Sequence, residues 1–211
     1  MANDEIRESY DRIAAAYGDH FAGELQHKPR DRELLSRFAG SVRGQGKVAE
    51  LGCGPGHIAR YLLEAGVNDI FGLDLSPAMV EEARRRNPGI AFETGDMLAL
   101  QLDDASLAGI VAMYAIVNIA RESLPAAFAE MWRVLQPGGR LLLSFHIGDE
   151  TVHREELFGE AVALDFHFLQ PDDIAAQLRH AGFEIEEIVE REPYPEVEYP
   201  SRRAYLFAAR H

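Results

Sequence analysis

The sequence predicts an α/β protein in which helices flank both faces of a doubly wound, mainly parallel sheet. Two observations carry that expectation. Short apolar runs of strand length alternate with stretches whose apolar residues recur at helical spacing, a pattern that implies parallel pairing under a helix layer on each side. A glycine-rich segment, Glu50-Leu51-Gly52-Cys53-Gly54-Pro55-Gly56-His57, joins the first of these runs to its helix. Right-handed crossovers then put a ligand at the carboxyl ends of the strands, where the strand order reverses.

The opening segment reads as a helix because Ile6, Tyr10, Ile13, Ala14 and Tyr17 fall on one stripe. Gly18 and Pro29 are expected to interrupt it, and Leu34, Leu35 and Phe38 mark a second helix ending near Gly40. A strand from Val48 to Leu51 leads through the glycines into a helix carrying Ile58, Tyr61, Leu62 and Leu63. Strands at Ile70 to Leu73 and Ile90 to Phe92 bracket a helix that opens after Pro77 and bears Met79, Val80 and Ala83. Leu107 to Met113 is a further strand, followed by a helix through Phe128, Met131, Trp132 and Leu135 that Gly138 and Gly139 should end. Leu141 to Phe145 reads as buried. Gly148 to Gln170 reads as an insertion suited to a substrate lid. A helix at Ile174 to His180 and strands around Phe183 to Val189 and Ala204 to Ala208 complete the chain.

Composition narrows the class of function. The chain has 211 residues, 47% of them hydrophobic, enough for one substantial core. No apolar run approaches the ~18 residues of a membrane span. The N-terminal Met1, Ala2, Asn3, Asp4 and Glu5 lack the basic-then-apolar order of a secretory signal. Cys53 is the single cysteine, which excludes an intrachain disulfide and fits a reducing, cytoplasmic setting. The formal net charge of −14 opposes binding to nucleic acid or to an acidic membrane surface. The run Arg84, Arg85, Arg86 reads as a solvated helix face. A small-molecule substrate is the expectation.

In the glycine segment, Gly52 and Gly54 permit a tight turn and close approach of a ligand to the backbone. Gly56 opens a helix whose N–H groups can meet a carboxylate or phosphate. A plain strand-to-helix turn is the alternative, although three alternate glycines exceed its needs. Asp74 ends the second strand about 20 residues on and can accept from two ribose hydroxyls. Capping the next helix is its other possible role, one that Ser76 already offers ahead of Pro77. Asp96, in Gly95-Asp96-Met97, can accept from an exocyclic amine while Met97 lies against a purine; a simple turn is the alternative.

At these residues the sequence resembles the class I S-adenosylmethionine-dependent methyltransferases. The resemblance runs from about Val48 to the C-terminus and includes Val134-Leu135-Gln136-Pro137-Gly138-Gly139. It implies a Rossmann-like, seven-stranded, mostly parallel sheet with its last strand antiparallel. The glycine loop, with Glu50, Gly52, Gly54, Gly56 and His57, would pass beside the methionine part of the cofactor. The resemblance further implies that Asp74 holds ribose and Asp96 adenine. Leu75 and Met79 would pack on the ring, Tyr17 would close the site, and Met113 would touch the methionyl end. A single domain, 1–211, then divides into a helical cap (1–45), a cofactor-binding half (46–147) and a substrate-side insertion with the last strands (148–211). Nicotinamide-dependent oxidoreductases share the fold, but their fingerprint is usually G-x-G-x-x-G. A non-catalytic S-adenosylmethionine-binding regulator would carry the same cofactor residues.

Methyl transfer from a sulfonium is a direct displacement that depends chiefly on alignment, and it needs a base only when the acceptor must lose a proton. His146, at the end of the fifth strand, is the best candidate base, and Tyr114 can orient a substrate; both also fit structural roles. Asn118 stands where many relatives carry histidine, which puts a base there in doubt. His153, Glu155, Glu156, Asp165 and His167 in the insertion match no compact ligand spacing, so no metal is expected. His20, Lys28, Arg30 and Arg32 could favour a carboxylate-bearing acceptor if one points inward. Glu190 to Arg203 reads as the connection to the final strand. The chain is expected to act as a monomer or homodimer.

Overall fold

The computed structural model describes residues 3–211. Met1 and Ala2, which begin both the acidic N-terminal segment and the predicted cap, lie outside the described residues. The helices are α1 (Asn3–Phe21), α2 (Pro29–Val42), α3 (His57–Glu64), α4 (Pro77–Arg86), α5 (Leu124–Val134) and α6 (Pro171–His180). The strands are β1 (Val48–Leu51), β2 (Ile70–Asp74), β3 (Ala91–Thr94), β4 (Leu107–Met113), β5 (Leu135–His146), β6 (Thr151–Leu157), β7 (Glu160–His167), β8 (Phe183–Arg191) and β9 (Arg203–Arg210).

Seven strands form one sheet in the order β3-β2-β1-β4-β5-β9-β8. Its first five strands pair in parallel, and β9 runs antiparallel to both of its neighbours. The order reverses between β1 and β4, so the carboxyl ends of these two strands frame the crevice where a ligand belongs. One sheet face packs Phe128, Met131 and Leu178 from α5 and α6. The other packs Leu35 and Phe38 from α2 with Ile58 and Leu62 from α3. Thus α2, predicted as part of the cap, lies on the sheet as a flanking helix.

Three expectations need correction. Helix α1 runs through Gly18 rather than stopping there. Gly18 is buried, and a Cβ on it would sit 2.8 Å from Arg86 Nε and 2.9 Å from Glu82 Oε1, so the missing side chain lets α1 cross close to α4. Gly138 and Gly139 do not end α5, which stops at Val134 and passes directly into β5. Instead they sit in a bulge between the pairs Leu107–Leu135 and Gly109–Arg140, where Gly138 adopts φ +80°. The insertion is not a loop. It is the antiparallel hairpin β6–β7, closed by Phe158 (φ +55°) and Gly159 (φ +81°). Positive φ at both turn positions matches the twist of the hairpin arms.

The true cap is therefore α1 laid between α4 and the hairpin, with Ile13, Ala14, Met79, Val162 and Leu164 as its core. Its position is fixed at a polar point as well. Asp11 Oδ1 accepts from the Ser76 hydroxyl (2.6 Å) and the Ala78 N–H (3.1 Å), while Ser76 Oγ accepts from the Met79 N–H (3.1 Å). The first turn of α4 is thus capped by its own serine and by an acid from α1. No helix among the described residues is long and apolar enough to cross a membrane.

Candidate active site

Two cavities, of about 150 and 330 Å³, open at the carboxyl edge of the sheet. They share a wall made by Tyr10, Tyr17, Gly52, Gly54, Met113 and Tyr114. Three of these residues have left-handed backbone, Gly52, Gly54 (φ +49°) and Tyr114. Gly52 has φ +65°, and a Cβ there would lie 2.5 Å from the Ala115 Cβ. Tyr114, a non-glycine residue at φ +55°, is tethered by its N–H to Ser144 O (3.0 Å) and Oγ (3.1 Å). Such strain persists only where surrounding bonds impose it, and here it turns an aromatic ring into the junction of the cavities.

The smaller cavity gathers Asp74, Leu75, Met79, Gly95, Asp96 and Met97, as the sequence implied. Asp74 Oδ2 accepts from the Gly54 N–H (2.8 Å) and Oδ1 from the Ser76 N–H (2.9 Å). Burial raises the Asp74 carboxyl above its ordinary value, opposed by the backbone N–H groups of Ser76, Gly54 and Leu75. A carboxylate offers about four acceptor positions, which leaves room for two hydroxyl donors. Asp96 Oδ1 accepts from the Leu98 N–H (2.8 Å), and its Oδ2 accepts from the Asn3 side-chain amide (2.7 Å). The donor pattern a nucleoside would bring, two hydroxyls and an amine, therefore fits two acids spaced along this cavity.

Three predicted cofactor residues do not line the smaller cavity. Gly56 lines neither cavity; its φ is +77°, and a Cβ there would meet the Phe92 ring at 2.6 Å, so it serves packing. Glu50 and His57 line the larger cavity only. Glu50 is buried beneath the glycine loop, where desolvation keeps its carboxyl well above the ordinary range against one N–H bond from Ala59 (2.8 Å). His57 Nε2 meets Glu24 Oε1 at 2.7 Å, because side chains opening a helix lean back over its N-terminus, here toward the segment that follows α1.

The catalytic candidates both face the larger cavity. His146 stacks on Phe168 (5.0 Å between centroids), lies beside Tyr114 (5.1 Å), and pairs its Nδ1 with Ser201 Oγ (2.8 Å). Burial, helped by the Arg203 charge, lowers its pKa to about 4. A base so weak can accept a hydrogen bond from an acceptor at neutral pH but draws a proton poorly. The Tyr114 hydroxyl points at Tyr205 (3.1 Å), and burial pushes its ionisation upward, so the ring rather than the oxygen faces the junction. Asn118 accepts from the Tyr10 hydroxyl (2.7 Å) and donates to the Asp165 carbonyl (2.7 Å), tying α1 and the hairpin to the end of β4.

A direct check on His146 is its NMR titration, expected with a midpoint near 4 rather than 6.5. The sign follows: the unfolded chain takes up this proton first, so stability from neutral His146 is complete above pH 6.5. It falls as pH drops toward about 4. A midpoint near 6.5 would mean the ring is not buried as described.

Sequence reasoning gave no site role to Asn3 or Asp11 and read Tyr10 only as part of an apolar stripe. Tyr10 sat visibly on the α1 stripe; the others carried no local signal.

Fold and paired acids define a protein that holds a nucleoside cofactor at the switch point of a doubly wound sheet. Comparison with known proteins narrows this. A methyltransferase domain family matches residues 48–139. A demethylmenaquinone methyltransferase of Renibacterium salmoninarum is 31% identical, over 67% of this chain and 58% of its own length. A malonyl-[acyl-carrier protein] O-methyltransferase of Erwinia billingiae is 34% identical, over 81% of this chain and 66% of its own length. The chain thus spans less than two thirds of these relatives. Among solved structures, the [4+2]-cyclase SpnF superposes with a TM-score of 0.76 at 18% identity, covering 100% of this chain and 97% of its own. The chain belongs to the class I S-adenosylmethionine-dependent methyltransferase family.

Proposed function

We propose that this chain transfers a methyl group from S-adenosylmethionine to a small molecule held in the larger cavity, releasing S-adenosylhomocysteine. The observation that supports this most is the shared wall. A cofactor whose nucleoside lies along Asp74 and Asp96 would bring its methionyl end to Gly52, Gly54, Tyr17, Met113 and Tyr114, where the second cavity begins. The glycine cradle fits that group, since Gly52 and Gly54 line both cavities with bare backbone. When bound, S-adenosylmethionine supplies an activated methyl whose bonding electrons return to sulfur as the new bond forms. The residues of this chain align the nucleophile and exclude water, the roles direct displacement most requires. Gly52 and Gly54 give backbone access, Tyr17 and Tyr114 wall the junction, and neutral His146 orients the acceptor by a hydrogen bond.

Thermal unfolding with S-adenosylhomocysteine, and with NAD in parallel, tests the cofactor assignment. Ligand at a hundred times its dissociation constant stabilises by about 2.7 kcal/mol. For a chain of this length that raises the Tm by about 5–10 °C, expected with S-adenosylhomocysteine alone. A shift with NAD alone would revive the oxidoreductase.

A further inference from the structure

The hairpin carries a feature that cofactor binding and the methyl-transfer alignment leave unused. Val152 and Arg154 alternate on β6 and pair across the strands with Phe166 and Leu164 of β7. Val152, Arg154, Leu157 and Phe166 all line the larger cavity. One cation therefore interrupts an otherwise apolar inner face, at a position where period-two patterning calls for a hydrophobe.

That cation has no acid to answer it. Among the described residues Arg154 forms no ion pair and no hydrogen bond; its guanidinium stands 5.8 Å from the centre of the Tyr199 ring. The other cations of the cavity are compensated. Lys28 pairs with Glu24 and with Glu198 (3.3 Å), and Arg203 with Glu198 (3.2 Å). The cavity's acids are likewise engaged: Glu24 also by His57, Asp31 and Glu198 by Arg191, and Glu50 by the Ala59 N–H. Among the described residues no carboxylate stands within ion-pair distance of Arg154, and an incoming anion meets only cavity acids that are already engaged. A guanidinium offers donors in a fixed fork that matches a carboxylate. A single such cation, in a chain of net charge −14, suits a monoanion better than a phosphate dianion.

We propose that Arg154 is the anion anchor of the larger cavity, so that the methyl acceptor is an amphipathic carboxylic acid. Its acid group sits on Arg154 and its apolar body lies against Phe158, Phe166 and Phe168. Arg154 lines the larger cavity only and is not part of the wall shared with the smaller one. The anchored acid therefore lies away from the junction, and the atom that receives the methyl group lies at the acceptor's other end. This assignment rests on the methyltransferase reading and adds the acceptor class to it.

Phenylacetate and its uncharged amide, phenylacetamide, serve as probes, titrated calorimetrically into protein saturated with S-adenosylhomocysteine. Wild type is expected to bind the acid about tenfold more tightly than the amide, as a charge-assisted bond implies. R154Q, which keeps a polar side chain but removes the charge, should lose that preference while its affinities for the amide and for S-adenosylhomocysteine stay unchanged. R154K, which keeps the charge and loses the fork, should fall between them. Equal binding of the two probes to wild type, no binding of either, or a preference that survives in R154Q would each overturn the anchor. The cofactor titration separates the two levels of failure. If S-adenosylhomocysteine binds and the acid preference is absent, only the acceptor class is lost; if S-adenosylhomocysteine does not bind wild type, the methyltransferase reading fails first.

Discussion

Replacing Asp74 with alanine is expected to weaken S-adenosylhomocysteine binding by about 10²–10⁴-fold, measured by calorimetric titration. The carboxyl is held rigidly by the Gly54 and Ser76 N–H groups, so its remaining acceptor positions are aimed before any ligand arrives. Two ribose hydroxyls donating to it would each contribute about 1.5–3 kcal/mol. Losing both amounts to about 3–6 kcal/mol, and each 1.4 kcal/mol is tenfold. D74N should be intermediate, because an amide keeps one accepting oxygen and sets a donor against the other hydroxyl. Unchanged affinity in D74A would remove the ribose assignment and with it the placement of the nucleoside.

The second large effect is structural. Glu198 is 1% exposed at its side chain and ties three separated cations together. It accepts from Arg191 at 2.7 and 2.8 Å and from the Tyr194 N–H at 2.9 Å, and pairs with Lys28 and Arg203. In this way the segment between β8 and β9 is pinned to the region before α2, behind the larger cavity. E198A leaves buried Arg203 without an acid and Lys28 and Arg191 with one each, a loss of about 3–5 kcal/mol. At about 2–4 °C per kcal/mol the Tm should fall by roughly 6–20 °C.

Acid should reproduce part of that loss. Burial pushes the Glu198 carboxyl up, but bonds from Arg191 and Tyr194 overcome it and hold the pKa at about 2. A depressed folded value contributes stability that is complete above the ordinary 4.5 and is lost as pH falls toward about 2. The wild-type Tm should decline through that window, and E198A should decline less steeply. A variant melting within a degree or two of wild type, with the same acid slope, would show that Glu198 holds nothing together.

The parts of this molecule that could be read from the sequence are those whose signal is local. The sheet strands were legible as short apolar runs or, in β8, as apolar residues interspersed with acids, and Asp74 and Asp96 stood out because one ends a strand and the other follows one closely. The hairpin was missed for a physical reason. A register shift between Arg154 and Glu156 breaks the alternation in β6, and charges fall on both faces of that strand. Gly18 misled because a glycine inside a helix reads as a stop, whereas here it answers to the side chains of α4. His57 and Glu50, read as residues beside the methionine part of a cofactor, line the larger cavity and not the smaller one, a division of space that residue spacing does not reveal. Asp11, which caps a helix 67 residues further along the chain at Ala78, belongs to a class of contact that no local pattern discloses.

The hydrogen bond from Asn3 to Asp96 has a kinetic consequence. One oxygen of Asp96 is already engaged by the first turn of α1, so an adenine amine would either share that oxygen or take the place of Asn3. Little net affinity is gained there, one donor being exchanged for another. If the amine took the place of Asn3, the exchange would free the first turn of α1, a helix that lines both cavities. Docking of the base at one end of the site would thereby loosen the cover, and departure of the base would let it latch again. On that exchange Asp96 would set the timing of ligand entry and departure more than the strength of binding.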